Sequence, residues 1–168
     1  MTTLVDWQIQ RLADLNKGIQ PFHKRQLNPA SYNLRIGNKG IIETPDGRTE
    51  VDLRDGHTVE PGGWILTDVL ETIRVPPNMI GQVILRSSAA RRGWDHALAG
   101  FVDPGYYGIL TLEFVNCLKY ESLTIKTGME MVQLKFDRLS TIPVKDYSAT
   151  GRYNLAKQVE GCKDRTLL

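Results

Sequence analysis

Between Lys39 and Val83 the chain cannot run far without reversing. Pro45-Asp46-Gly47, Arg54-Asp55-Gly56, Pro61-Gly62-Gly63 and Pro76-Pro77-Asn78 separate short apolar runs. Proline presets φ and glycine accepts positive φ, so each cluster is a turn with a mechanism behind it. Short strands joined by close-set turns pair antiparallel. The expected fold is therefore all-β, a distorted antiparallel β-barrel or jelly roll. At 168 residues the chain can bury one good core and is too short for two typical domains, so a single domain over 1–168 is expected.

One segment breaks the β pattern. From Asp6 to Asn16 apolar side chains fall at Trp7, Ile9, Leu12, Ala13 and Leu15, the spacing of an amphipathic helix. Asp6 is the expected N-cap and Gly18 the expected stop, within an N-terminal helical segment over 1–20. Ala30 to Gly37 then alternates as a strand expected to end at the glycine. Trp64 and Trp94 read as core or interface.

Charge excludes some partners. Lys plus Arg total 21 against 19 Asp plus Glu, a formal charge of +2, so no global field favours nucleic acid or an anionic membrane. Cys117 and Cys162 cannot build a multi-bridge framework, and no apolar N-terminal run reads as a signal or a span. A cytoplasmic setting is expected. His23, His57 and His96 are scattered, with neither an H-x-E element nor a C-x-x-C pair, so no zinc site is expected.

Chemistry concentrates in Arg86-Ser87-Ser88-Ala89-Ala90-Arg91-Arg92-Gly93, then Ala99 to Gly108, then Leu112-Glu113-Phe114. Guanidinium groups and hydroxyls at the start of a short helical turn suit phosphate oxygens. Ile109 to Val115 alternates, so Leu110, Leu112 and Phe114 share one face while Thr111 and Glu113 share the other. Glu113 thus faces away from the main core, where a carboxyl in a cleft can serve acid–base chemistry. Residue types alone leave the bland readings open: a solvated turn, a surface Glu, and an Asp-Pro-Gly that is first of all a turn.

Taken together, RSSAARRGW, AGFVDPGYYG and LTLEFVN, with NPASYNLRIG upstream and GRY near the end, resemble the dCTP deaminases and bifunctional dCTP deaminase–dUTPases of the trimeric dUTPase superfamily. The resemblance runs from about Leu27 to about Tyr153. It implies a dUTPase-like barrel with an N-terminal helix and a short helix after the Arg-Ser-Ser motif. It also implies homotrimers with sites between subunits, dCTP and dUTP as nucleotide partners, and Mg²⁺ arriving on the triphosphate.

By the same resemblance Glu113 moves the protons, Ser87 and Arg91 hold water and base edge, and Asp103 holds the sugar hydroxyl. Arg86 and Ser88 match phosphate contacts, Ala99 and Gly100 match the backbone that reads the pyrimidine, and Tyr106 lies against the sugar. Gln133, in a Gly128 to Leu134 segment, is mainly structural and intersubunit, while Arg152 and Tyr153 belong to a flexible C-terminal lid over 147–168.

The Ala-Gly-Phe-Val-Asp-Pro-Gly-Tyr run leans towards dUMP formation. Departures are Asn33 where Asp is usual, Ala156 where Gln is expected, and Leu85 and Ala89 around the Arg-Ser-Ser run. A dUTPase without deaminase activity, which leaves Glu113 unexplained, and a non-catalytic nucleotide-binding regulator are the competing readings.

Overall fold

The computed structural model describes residues 2–97, 99–145, 147–164 and 166. Tail residues 165, 167 and 168 lie outside the described residues. In chain order the strands are β1 (Thr2–Thr3), β2 (Ile19–Gln20), β3 (Leu27–Asn28), β4 (Ser31–Thr44), β5 (Gly47–Asp52), β6 (His57–Val59), β7 (Trp64–Arg74), β8 (Met79–Leu85), β9 (Trp94–His96), β10 (Phe101–Val102), β11 (Tyr107–Asn116), β12 (Leu123–Ile125) and β13 (Glu130–Arg138). Helices are α1 (Asp6–Asn16), α2 (Ser87–Arg91) and α3 (Tyr147–Thr150), with a 3₁₀ turn at Lys24–Gln26. All the pairings are antiparallel, as the turn chemistry requires.

Eleven strands form one curled sheet whose main path is β10-β8-β13-β4-β7-β11-β9, and β12 pairs β6 in a second, two-stranded sheet. The two ends of that path, β9 and β10, are consecutive in the chain. Successive strands thus stand at the two edges of the curled sheet, a half-barrel. Inside it lie Leu34, Ile36, Ile65, Ile73, Leu112, Phe114, Leu134 and Phe136, all buried. Phe22 stacks on Tyr32 at 5.1 Å, and the Tyr32 hydroxyl accepts from the His23 N–H at 2.9 Å.

Helix α1 has the expected bounds but different ends. Val5 is the N-cap, because the Leu4 and Asp6 N–H groups donate to Phe136 and Pro29 carbonyls and hold the entry chain extended. The Gln8 side chain reaches back to the Val5 N–H at 3.1 Å, and Asp6 is the first helical residue. At the other end Lys17, not Gly18, takes the left-handed conformation (φ 51°). Gly18 is needed for space: a Cβ there would come within 2.7 Å of Leu12.

Strand β4 does not stop at Gly37. It continues to Thr44, changing partner from β13 to β7 and β5 across a bulge between Ile36 and Gly40. A Cβ at Gly37 would sit 2.1 Å from Asp68 Oδ1, so the glycine marks a close approach and not an end. The short helix α2 likewise begins inside the Arg-Ser-Ser motif, at Ser87, not after it.

Candidate active site

The expected alternation places Glu113. Along β11 Leu110, Leu112 and Phe114 are buried, while Thr111 and Glu113 on the other face open onto a cavity of about 450 Å³. Its floor is β11 and β7, with Leu66 opposite Glu113 in register. Ala99, Asp103 and Tyr106 form one wall, Arg48 and Trp64 another, and Tyr153, Ala156 and Glu160 from the tail a third.

One oxygen of Glu113 is left without a hydrogen bond among the described residues. That oxygen, Oε2, is buried and lies 3.9 Å from His96 Nε2, which is also buried and unbonded. Desolvation raises the Glu113 carboxyl above its ordinary range and pushes the buried His96 imidazole below its own, with Asp95 opposing the second shift. Asp103, in the same cavity, is raised by desolvation as well.

Close backbone approach shapes the wall beside it. The Gly100 carbonyl accepts from the Val83 N–H at 2.7 Å, and a Cβ on Gly100 would fall 2.2 Å from the Val83 oxygen. Only glycine fits. Tyr106 is buried with its hydroxyl donating to the Ile109 carbonyl at 2.8 Å, and burial raises its phenol.

The tail lies along the exposed start of β11. Strand β9 covers only Phe114 to Asn116 of that edge, leaving Tyr107 to Ile109 unpaired on that side. There Leu155 N–H donates to Tyr107 O at 2.6 Å, Ile109 N–H to Ala156 O at 2.8 Å, and Tyr107 N–H to Asn154 Oδ1 at 2.9 Å. Farther on the Glu160 N–H reaches the Thr111 hydroxyl at 3.0 Å. Ala156, where the resemblance led to Gln, is buried against Gly108.

The cavity thus gathers Glu113, Asp103, Ala99, Tyr106 and Tyr153 from the expected set. Arg86, Ser87, Ser88, Arg91, Gly100, Gln133 and Arg152 are not among the described residues lining it. Arg86 is tied to Glu130, donating to its carbonyl at 2.7 Å, and Glu130 Oε2 also accepts from Asn33 Nδ2 at 2.8 Å. Gln133 Oε1 accepts from the Ser31 hydroxyl at 2.9 Å. Arg152 pairs with Asp164, whose carboxyl is held down to about 2 by Thr166 and then by Arg152. The Tyr153 hydroxyl accepts from the Lys163 N–H at 2.9 Å.

Arg48 and Trp64 were not anticipated in the site. Arg48 lies 5.0 Å above the Trp64 ring at the cavity wall. It arrives through the β4–β5 hairpin, whose register opposes it to Glu43. Trp94, by contrast, is core, edge-on to Phe114 at 6.2 Å. Among the described residues no group of three or more His, Cys, Asp or Glu side chains is placed to hold a metal. No helix of the described residues is long and apolar enough to cross a membrane.

The curled antiparallel half-barrel is a dUTPase-like fold. A solved structure of 2'-deoxycytidine 5'-triphosphate deaminase from Agrobacterium tumefaciens superposes with a TM-score of 0.67 at 23% identity, over 80% of this chain and 48% of that one. The present chain spans about half the length of that protein. A mutant dUTPase of Staphylococcus phage 80alpha shares the fold, with a TM-score of 0.52 at 16% identity over 86% of this chain and 90% of that one.

The family model described as dCTP deaminase-like matches residues 3–139, and the chain belongs to that family. Curated relatives include a dCTP deaminase of Thermococcus kodakarensis, 38% identical over 81% of this chain and 83% of the relative. Another, named dCTP deaminase, dUMP-forming, from Methanospirillum hungatei, is 32% identical over 79% of this chain and 80% of the relative.

Proposed function

We propose that the chain is a hydrolytic dCTP deaminase that releases ammonia and carries the product on to dUMP and diphosphate, in pyrimidine deoxynucleotide metabolism. The observation that carries this reading is Glu113: a desolvated carboxyl whose buried Oε2 has no hydrogen bond among the described residues, opening onto a cavity of nucleotide size. Glu113 takes a proton from the attacking water as oxygen adds to C4 of the cytosine. It delivers a proton to N3, then moves the remaining one to the amino group, which leaves as ammonia.

Ala99 backbone and the Gly100 N–H read the pyrimidine edge, Asp103 holds the deoxyribose hydroxyl and later orients the hydrolytic water, and Tyr106 backs the sugar. The triphosphate enters with Mg²⁺ as its counter-ion, and Arg86, Ser88, Arg152 and Tyr153 contact it. Ser87 and Arg91 hold the water and the leaving group. Arg86, Ser87 and Arg91 serve the Glu113 of a neighbouring subunit in a homotrimer, in keeping with their place outside this chain's own cavity. A cytoplasmic setting is part of the same proposal.

Incubation of the oligomer with dCTP and Mg²⁺, following ammonia, dUTP, dUMP and diphosphate, tests the reading. Ammonia with dUMP is the expected result. Ammonia with dUTP reduces it to a simple deaminase, dUTP hydrolysis without ammonia makes the chain a dUTPase, and binding without turnover makes it a regulator. Light scattering at working concentration reports whether three copies assemble.

A further inference from the structure

Two unpaired polar atoms are buried against each other beside the cavity, and one of them belongs to a residue with no role so far. Burying a donor or acceptor without a partner is costly, so a pair of such atoms marks a place where structure has been given up for something else. His96 is 4% exposed, its ring tilted against Phe114 at 5.7 Å. Its backbone N–H is taken by the Asp95 carboxylate at 2.8 Å, which fixes the residue at the end of β9. Nε2 is left pointing at Glu113 Oε2, 3.9 Å away.

We propose that His96 is the positioning residue for Glu113: its Nε2–H donates to the buried Oε2 when substrate closes the cavity, leaving Oε1 as the oxygen that exchanges protons. This rests on the reading of Glu113 as the working carboxylate. The chemistry of the two atoms supports it. A bare Nε2 facing a bare carboxylate oxygen would be repulsive, so one proton belongs between them, and the other ring nitrogen decides which atom keeps it.

A neutral imidazole suits the task better than an imidazolium. Burial disfavours the ring's charged form, so His96 donates without cancelling the negative charge that Glu113 needs as a base. An ordinary hydrogen bond then opposes the desolvation that raises the carboxyl and fixes a side chain with three rotatable bonds. Asp95 is the other charged group on β9. The ionisable groups that face the cavity from other elements are Arg48, Asp103, Glu160 and Cys162, with the phenols of Tyr106, Tyr147 and Tyr153.

The test compares H96Q, which keeps an N–H near the Nε2 position, with H96F, which keeps ring packing and loses the donor. For H96F the expected result is a kcat about 10- to 100-fold lower, KM within about threefold, and an acid limb of the kcat/KM profile moved to higher pH. H96Q should recover most of kcat and return the limb towards its original position. An H96F enzyme with unchanged kcat and unchanged acid limb overturns the proposal.

A second measurement uses ¹⁵N-labelled histidine in the oligomer with a non-hydrolysable dCTP analogue. His96 should appear as the neutral Nε2–H tautomer and should change its Nε2 shift in E113Q. A bare Nε2 indifferent to E113Q overturns the pairing even if H96F fails to fold. Absence of dCTP turnover in the unmodified protein would instead sink the functional reading, while the tautomer measurement would still decide the pair.

Discussion

Two glutamates on neighbouring strands, Glu71 and Glu113, have opposite surroundings. Glu71 on β7 is wholly buried and fully engaged: Arg35 Nε donates at 2.7 Å, the Arg35 backbone N–H at 3.0 Å and Gln26 Nε2 at 3.2 Å. Glu113 on the neighbouring strand β11 has no hydrogen bond to its buried oxygen. A paired buried carboxylate is held in one position by its partners, which serves architecture. An unpaired one is left able to change protonation, which serves chemistry. The contrast, more than burial alone, singles out Glu113.

The largest expected effect breaks the contrast at the site. Replacing Glu113 with Gln should lower the rate of ammonia release about 10²- to 10⁴-fold with nucleotide binding retained, measured by coupled ammonia assay and calorimetry. The same change should raise stability at neutral pH. The folded-state value of Glu113 is raised, so its favourable contribution is complete below the ordinary carboxyl range and is lost as pH rises through the raised value. Thermal melts should show E113Q above the parent near pH 7, with the gap closing near pH 4. A gap of the same size at both pH values would mean that the carboxyl is not strained.

Next in size is the same operation on the other glutamate. E71A leaves Arg35 without its buried partner and should cost about 3–5 kcal/mol, seen as a melting temperature lowered by several degrees. Protein still folded at low temperature should retain dCTP turnover, because Glu71 does not line the cavity. Loss of turnover in fully folded E71A would erase the distinction.

A smaller effect is expected between the two regions. Asn33 is buried and donates to Glu130 while accepting from Asn28 Nδ2 at 2.8 Å. N33D would set a second carboxylate against Glu130, costing about 1–3 kcal/mol at pH 7, with recovery as the pH falls to about 4. Equal melts at pH 7 would show that Arg86, which already contacts Glu130, absorbs the added charge.

Smallest is D164N in the tail. An exposed ion pair holds Arg152 only weakly, so freeing that guanidinium should lower KM for dCTP at most about fivefold without changing kcat. An unchanged KM would remove Arg152 from the phosphate grip.

How much of this was legible in the chain differs by the range of the interaction. The period-two alternation through Leu110 to Phe114 is local, so it assigned Glu113 to the open face before any fold was known. Turn clusters likewise specified an antiparallel all-β domain. Where local rules failed, a distant residue had intervened. Asp6 lost the cap because Phe136 and Pro29 fix the chain before it, and Gly37 continued a strand because Asp68 fills the space a side chain would need.

The site divides in the same way. Sequence order placed Glu113, Ala99, Asp103 and Tyr106 within one short stretch, and that stretch does line one cavity. Arg48 reaches it only through a hairpin, and Glu160 only because the tail finds the unpaired edge of β11.

By itself the chain determined element type, the direction of pairing and which face of β11 carries the carboxyl, since steric preference and side-chain period act between near neighbours. Only the curled sheet decided that Glu71 is paired and Glu113 is not, because hydrogen-bond satisfaction depends on atoms that the curling of the sheet brings within about 3 Å.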